Sequence, residues 1–228
     1  MLNYLKESYQ RNLNSVNDFY TSNGLHVYVK DPVSNGVDPE VVISKLESVL
    51  PPHLFSEVEM VAIGHFKEFE ERKINAFYSD GCLYISNEQD NEADLIDDLI
   101  HEMSHSLEES YGYEIYGDKQ LEEEFLQKRI RLYDELWAHG YKAPKSFFLD
   151  PEYDAEFDDY LLNKVGYNKL SMVALGIFIS AYAATSLREY FATGFTYYYL
   201  NEDLVWLKMT CPILYSKIDK INKMKDQT

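Results

Sequence analysis

The sequence predicts an α+β protein in which a small sheet, built from the first ninety residues, precedes a mostly helical remainder. Two patterns carry this expectation. Alternating, β-favouring runs occur at 25–29, 57–63, 74–78 and 82–86, and apolar residues recur at helical spacing from Asp94 onward. A third observation bounds the size. The chain has 228 residues, 46% hydrophobic and 15% aromatic, enough to bury a real core. It shows no internal repeat, low-complexity tract or Gly/Ser linker, so one compact unit is expected, with residues 1–54 as an N-terminal extension that starts the sheet.

Taken in order, residues 2–20 have a helical pattern, weakened by Asn and Tyr. Leu25 to Val29 alternates with β-favouring residues and reads as a strand. Asp38 as N-cap and Pro39 at the first helical position, with apolar residues at 42, 43, 46, 49 and 50, predict a helix that stops at Pro51-Pro52. Glu57 to Ile63 is a second strand. Ile74 to Tyr78 and Cys82 to Ser86 are joined by Ser79-Asp80-Gly81, whose Asp-Gly step favours a hairpin turn. From Asp94 the apolar positions 95, 96, 99, 100, 103 and 107 form one helical stripe. Lys119 to His139 is again helical and ends at Gly140, a plausible C′ residue. Met172 to Ala184 is the most apolar run. It contains Ser180 and Tyr182 and is too short to span a bilayer, so it is expected to be a core segment.

The helix from Asp94 carries His101-Glu102-Met103-Ser104-His105. Residues at i and i+4 share a helix face, so both imidazoles can reach one ion while Glu102 addresses the water that completes its coordination. This is the ligand pattern of a zinc-dependent hydrolase with Glu102 as general base. The ordinary alternative is an amphipathic helix with two surface histidines. The position of the pair opposite the apolar stripe favours the metal.

Composition narrows the partners. A formal charge of -18 argues against nucleic acid and anionic membrane surfaces and makes basic peptide segments the natural partner. Part of that charge is local: Asp150, Glu152, Asp154, Glu156, Asp158 and Asp159 crowd one short stretch, whose simplest role is a solvated face. Cys82 and Cys211 lack the close spacing of a thiolate metal site and are expected as free buried thiols, which a reducing compartment allows. Met1 to Leu13 has no apolar h-region, so no signal peptide is expected.

Catalytic zinc usually takes three protein ligands and keeps one position for water, so a third ligand is required. The metzincin continuation is excluded, because the positions that would need Gly and His hold Glu108 and Tyr111. Glu124 stands near the spacing of a thermolysin-like third ligand. His139 ends an amphipathic helix, where surface or capping roles are commoner. Glu189 stands three residues after Ser186, which is also a capping-box pattern. Helix chemistry alone does not choose among these.

His101 to His105 followed by Tyr111-Gly112-Tyr113, and later Glu189-Tyr190-Phe191-Ala192 ending in Phe195, resembles the catalytic domain of the anthrax lethal factor-like metallopeptidases, a gluzincin group. The resemblance covers roughly residues 55–220. It implies a zincin-like fold with an insertion around 140–175, and it implies that Glu189 is the third zinc ligand. By the same offset, Tyr182 is implied to donate a hydrogen bond to the transition-state oxyanion or to assist the leaving amine. Cys82 to Ser86 looks like the family's substrate-side strand, with an exposed edge to which an extended peptide could add. One departure concerns support of the ligands. Thr193 stands where many gluzincins have an acidic residue, which leaves Glu108 and Glu109 as groups that could orient a histidine.

The expectation is therefore a zinc endopeptidase with His101, His105 and Glu189 as metal ligands and Glu102 and Tyr182 as catalytic groups. The rival is a non-catalytic binding or assembly protein that keeps a zincin-like scaffold with structural zinc or none. Glu102 argues against the rival, because a purely structural site has no use for a general base.

Overall fold

The computed structural model describes residues 17–72, 74–200 and 203–224. The chain divides into two compact units, Met1–Leu107 and Glu108–Thr228.

The first unit is an α/β layer around one five-stranded mixed sheet. Its strands are β1 (Asn17–Tyr20), β2 (His26–Val29), β3 (Met60–Ile63), β4 (Ala76–Ser79) and β5 (Cys82–Ile85), in the spatial order β1-β2-β3-β5-β4. Pairing is antiparallel at both outer pairs and parallel from β2 through β3 to β5. Helix α1 (Pro39–Val49) makes the crossover between parallel β2 and β3. Asp38 caps it by accepting the N–H of Glu40 at 2.9 Å, and Val42, Ile43, Leu46 and Leu50 are buried. The short helix α2 (Lys67–Arg72) follows β3 and buries Phe69. Asp80 and Gly81 both have positive φ, 48° and 78°, the conformation a two-residue hairpin requires. Val27, Val61, Ile63, Leu83 and Ile85 carry the apolar face of the sheet inward.

Three expectations change. Residues 17–20, the end of the run read as helical, form the strand β1, which pairs with β2; the rest of that run lies outside the described residues. Sheet pairing to a β-rich neighbour outweighs weak helix propensity there. Cys82 to Ser86 is not an exposed edge: β5 lies between β3 and β4, because the hairpin turns β4 back along the outside. Met172 to Ala184 is only partly core. Ala174, Ile177, Phe178, Ala181, Ala183 and Ala184 are buried, but Met172 and Leu175 are exposed.

Helix α3 (Glu92–Tyr116) begins in the first unit and continues into the second. Asn91 Oδ1 accepts the N–H groups of Ala93 and Asp94, closing its N-terminus. The predicted stripe of Leu95, Ile96, Leu99, Ile100, Met103 and Leu107 is wholly buried.

The second unit is helical: α4 (Gln120–Ala138), α5 (Ala155–Asp159), α6 (Tyr167–Ala174), α7 (Leu187–Tyr199), α8 (Leu204–Thr210) and α9 (Pro212–Asn222). A π-helical turn at Tyr160–Gly166 joins α5 to α6. Helix α4 ends in a Schellman motif, with the N–H of Tyr141 on Leu136 O, the N–H of Gly140 on Trp137 O, and Gly140 at φ 86°. The core is aromatic, with Phe125, Phe178, Tyr190, Phe191 and Phe195 all fully buried. Among the described residues, no helix is long and apolar enough to cross a membrane.

Candidate metal centre

Helix α3 places His101 and His105 one turn apart, with ring centroids 5.2 Å apart and planes at 75°. One ligand atom from each of His101, Glu102 and His105 lies within 4.8 Å of the others. Two nitrogens about 2.0–2.1 Å from one tetrahedral ion are separated by roughly 3.4 Å, so small side-chain rotations bring this pair onto one ion. The donor set of two imidazoles and a carboxylate suits zinc and other imidazole-binding divalent metals.

The three side chains differ in exposure. Glu102 is buried at 7% of its free surface, whereas His101 and His105 are half-buried with their rings partly open to solvent. The Nδ1 atom of His105 is itself shielded from solvent. Ser104 and Ser106, also buried, turn their hydroxyls back onto the helix, donating to His101 O at 2.6 Å and Met103 O at 2.7 Å. They thereby satisfy themselves locally beside the imidazole pair.

Sequence reasoning missed Asp98, one turn before His101 on the same helix. Its carboxylate accepts a hydrogen bond from Gln89 Nε2 at 3.1 Å. Burial pushes its pKa up, while the Gln89 hydrogen bond and the nearby His101 ring pull it down. The i, i+3 relation of Asp98 to His101 was the available signal.

Tyr182 and Glu189 belong to the second unit. Glu189 occupies the first turn of α7, where Ser186 Oγ caps the helix by accepting its N–H at 3.2 Å. The capping reading of Ser186 is thus realised through the backbone of Glu189. Tyr182 opens a 3-10 turn, Tyr182–Ala184, and its side chain is 49% exposed, which excludes core packing as its role.

This segment is held from below by a residue the sequence disguised. Arg129 is completely buried in α4. It donates Nε to Ala184 O and Nη2 to Thr185 O, both at 3.0 Å, and Nη1 to Asp150 O. Its guanidinium lies 4.2 Å from the centroid of Phe157 and 5.0 Å from that of Phe125. Burial lowers its pKa to about 10, so it stays charged at neutral pH. The signal was positional: Leu121, Phe125, Leu132 and Leu136 form the buried stripe of α4, and Arg129 falls on it. Neighbouring Lys128 donates to Ile177 O and Thr210 O, each at 2.6 Å.

The other third-ligand candidates have structural work. Glu124 accepts the hydroxyl of Tyr190 at 2.8 Å and the N–H groups of Ile213 and Leu214 at 2.9 and 3.1 Å, capping α9. His139 is exposed and bonds Glu135 O at the end of α4, the capping role expected of it.

Glu108 bridges Tyr116 and Arg188, accepting the Tyr116 hydroxyl at 2.9 Å and Arg188 Nε at 2.7 Å. Burial first, then the negative charge of Glu108, drives the Tyr116 phenol far above its ordinary pKa. Thr193 Oγ1 is buried and has no hydrogen-bond partner among the described residues. Both cysteines are free and buried. No protein-family model, curated protein or solved structure matches this chain.

Proposed function

We propose that this protein is a zinc-dependent endopeptidase of zincin-like fold, related to the lethal factor-like group, in which His101, His105 and Glu189 hold the metal. The observation that carries this reading is the pair of imidazoles on one helix with the buried carboxylate of Glu102, the proposed base, within 4.8 Å; Glu189 as third ligand is what the resemblance implies. Bound zinc supplies Lewis acidity to water and to a peptide carbonyl.

The chain's own residues divide the remaining work. Glu102 accepts the proton of the attacking water and returns it to the departing nitrogen; its burial keeps competing solvent away from that carboxylate. Tyr182 has about half its surface open to solvent, and its hydroxyl donates to the carbonyl oxygen as negative charge develops there. An extended substrate that pairs with the sheet has the edge strand β4 available to it, not β5. The charge of -18 favours substrates with Lys or Arg near the scissile bond, a preference that screening by salt weakens.

Glu102→Gln tests the reading. The variant keeps both imidazoles, so it is expected to bind about one zinc per chain and to cleave peptides at least about a hundredfold more slowly than the wild type. Near-normal cleavage would exclude Glu102 as the base. A metal-loaded wild type that cleaves no member of a diverse peptide library would favour the rival, a binding or assembly protein that uses the same scaffold without catalysis.

A further inference from the structure

The α3 pair is supported by a polar chain that begins well upstream of it. Residues 32–36 are fastened to 86–89: Ser34 N–H donates to Asn87 O at 2.9 Å, Asn87 Nδ2 to Pro32 O at 3.0 Å, and Asn35 Nδ2 to Gln89 O at 2.8 Å. Ser34 Oγ meets both the N–H and the carbonyl of Gln89 at 2.7 Å. Gln89 therefore has a fixed backbone. Its side chain is buried at 4% exposure, and its one amide nitrogen is shared between Ser86 O at 3.0 Å and Asp98 Oδ2 at 3.1 Å. Such an amide has little rotational freedom, and it pins the carboxylate in turn.

Asp98 stands three residues before His101, on the same side of α3. A helical side chain leans towards the N-terminus, which brings the His101 ring over the turn that carries Asp98.

We propose that Asp98, held by Gln89, is a positioning residue that accepts the ring N–H of His101 and so presents the other ring nitrogen to the metal. A ligating histidine needs its second nitrogen protonated and directed, and a carboxylate does both while making the ligand more basic. This inference rests on the reading of His101 as a metal ligand.

The test uses the full chain and zinc alone, with affinity measured by chelator competition for wild type, His101→Ala, Asp98→Ala, Asp98→Asn and Gln89→Leu. His101→Ala is expected to lose tight binding. Asp98→Ala should bind about ten- to a hundredfold more weakly than wild type. Asp98→Asn keeps the volume, so it preserves the fold and still shows a loss, while Gln89→Leu shows a smaller loss in the same direction. Nitrogen spectra of the imidazoles in the metal-free protein supply a readout that mere stability would not move. His101 should be a single tautomer in the wild type and a mixture in Asp98→Ala. Asp98 variants that stay within twofold of wild type, while His101→Ala loses zinc, would overturn the positioning role and leave the metal reading intact. A wild type that binds no zinc would overturn both.

Discussion

The two regions proposed to make the site are built by opposite means. On α3 the chemistry is local: one turn of one helix sets the His101–His105 spacing, and Glu102 comes with it. The segment from Tyr182 to Glu189 has no such economy. It is a 3-10 turn and a helix start whose backbone carbonyls at Ala184 and Thr185 are gripped by Arg129, more than fifty residues earlier in the chain. The first arrangement depends on helix geometry and survives most changes around it. The second depends on one buried cation, so its precision is only as good as that cation's fit.

The largest expected effect breaks the second region alone. Arg129→Met keeps much of the volume but removes the donors of two interior carbonyls, Ala184 O and Thr185 O, and of the Asp150 carbonyl nearer the surface. Leaving buried acceptors unpaired costs about 1–3 kcal/mol each, so a total loss of about 2 kcal/mol or more is expected, with a fall in melting temperature of about 5 °C or more. Thermal melting followed by the aromatic signals of the second unit checks it. If the variant melts with the wild type, the grip of Arg129 is not what orders residues 182–186.

A sharper comparison sets Glu189 against Glu124. Glu189→Ala removes the proposed third ligand but leaves the capping bond of Ser186, which uses the Glu189 backbone, so most bound zinc should be lost with little change in stability. Glu124→Ala removes an acceptor shared by Tyr190 and two N–H groups of α9, so it should cost about 1–3 kcal/mol and leave zinc content unchanged. The reverse outcome, zinc lost with Glu124 and kept without Glu189, would exclude Glu189 as a ligand.

Tyr182→Phe asks whether the exposed phenol contributes chemistry. Phenylalanine removes one hydroxyl and little packing volume, so kcat should fall by roughly ten- to a thousandfold while zinc content and melting temperature barely move. A melting temperature that drops while kcat holds would make the tyrosine structural.

The contrast between the regions also explains what could be read from sequence. Local grammar was legible: the Asp38 cap, the Asp80-Gly81 turn, the Gly140 terminus and the α3 stripe each depend on a few adjacent residues. Long-range placement was not. Nothing in Cys82 to Ser86 reveals that β4 folds outside it and takes the edge, because strand order is decided by which hydrogen-bonding side the hairpin covers. No local pattern marks Arg129 and Lys128 for burial beyond the place of Arg129 on an apolar stripe, and only the carbonyls of Ala184, Thr185 and Ile177 explain why they are buried. In the candidate site the same division holds. The imidazole pair follows from helix period, whereas Gln89, which hydrogen-bonds Asp98, is recruited by contacts with Ser34 and Asn35 that no local pattern announces.

The smallest expected effect probes a buried hydroxyl on the helix that carries Glu189. Thr193 lies one turn after Glu189 on α7, and its buried hydroxyl has no partner among the described residues. A hydroxyl withdrawn from water without a hydrogen bond is a net cost, and valine has nearly the same shape without it. Thr193→Val is therefore expected to raise stability by about 1 kcal/mol, read as a higher denaturation midpoint at unchanged slope, with zinc affinity unaltered. A loss of stability would mean that the hydroxyl bonds a water or a neighbouring group. A loss of zinc affinity would mean that Thr193 supports a metal ligand, and Asp98 would then not be the sole residue positioning the proposed site.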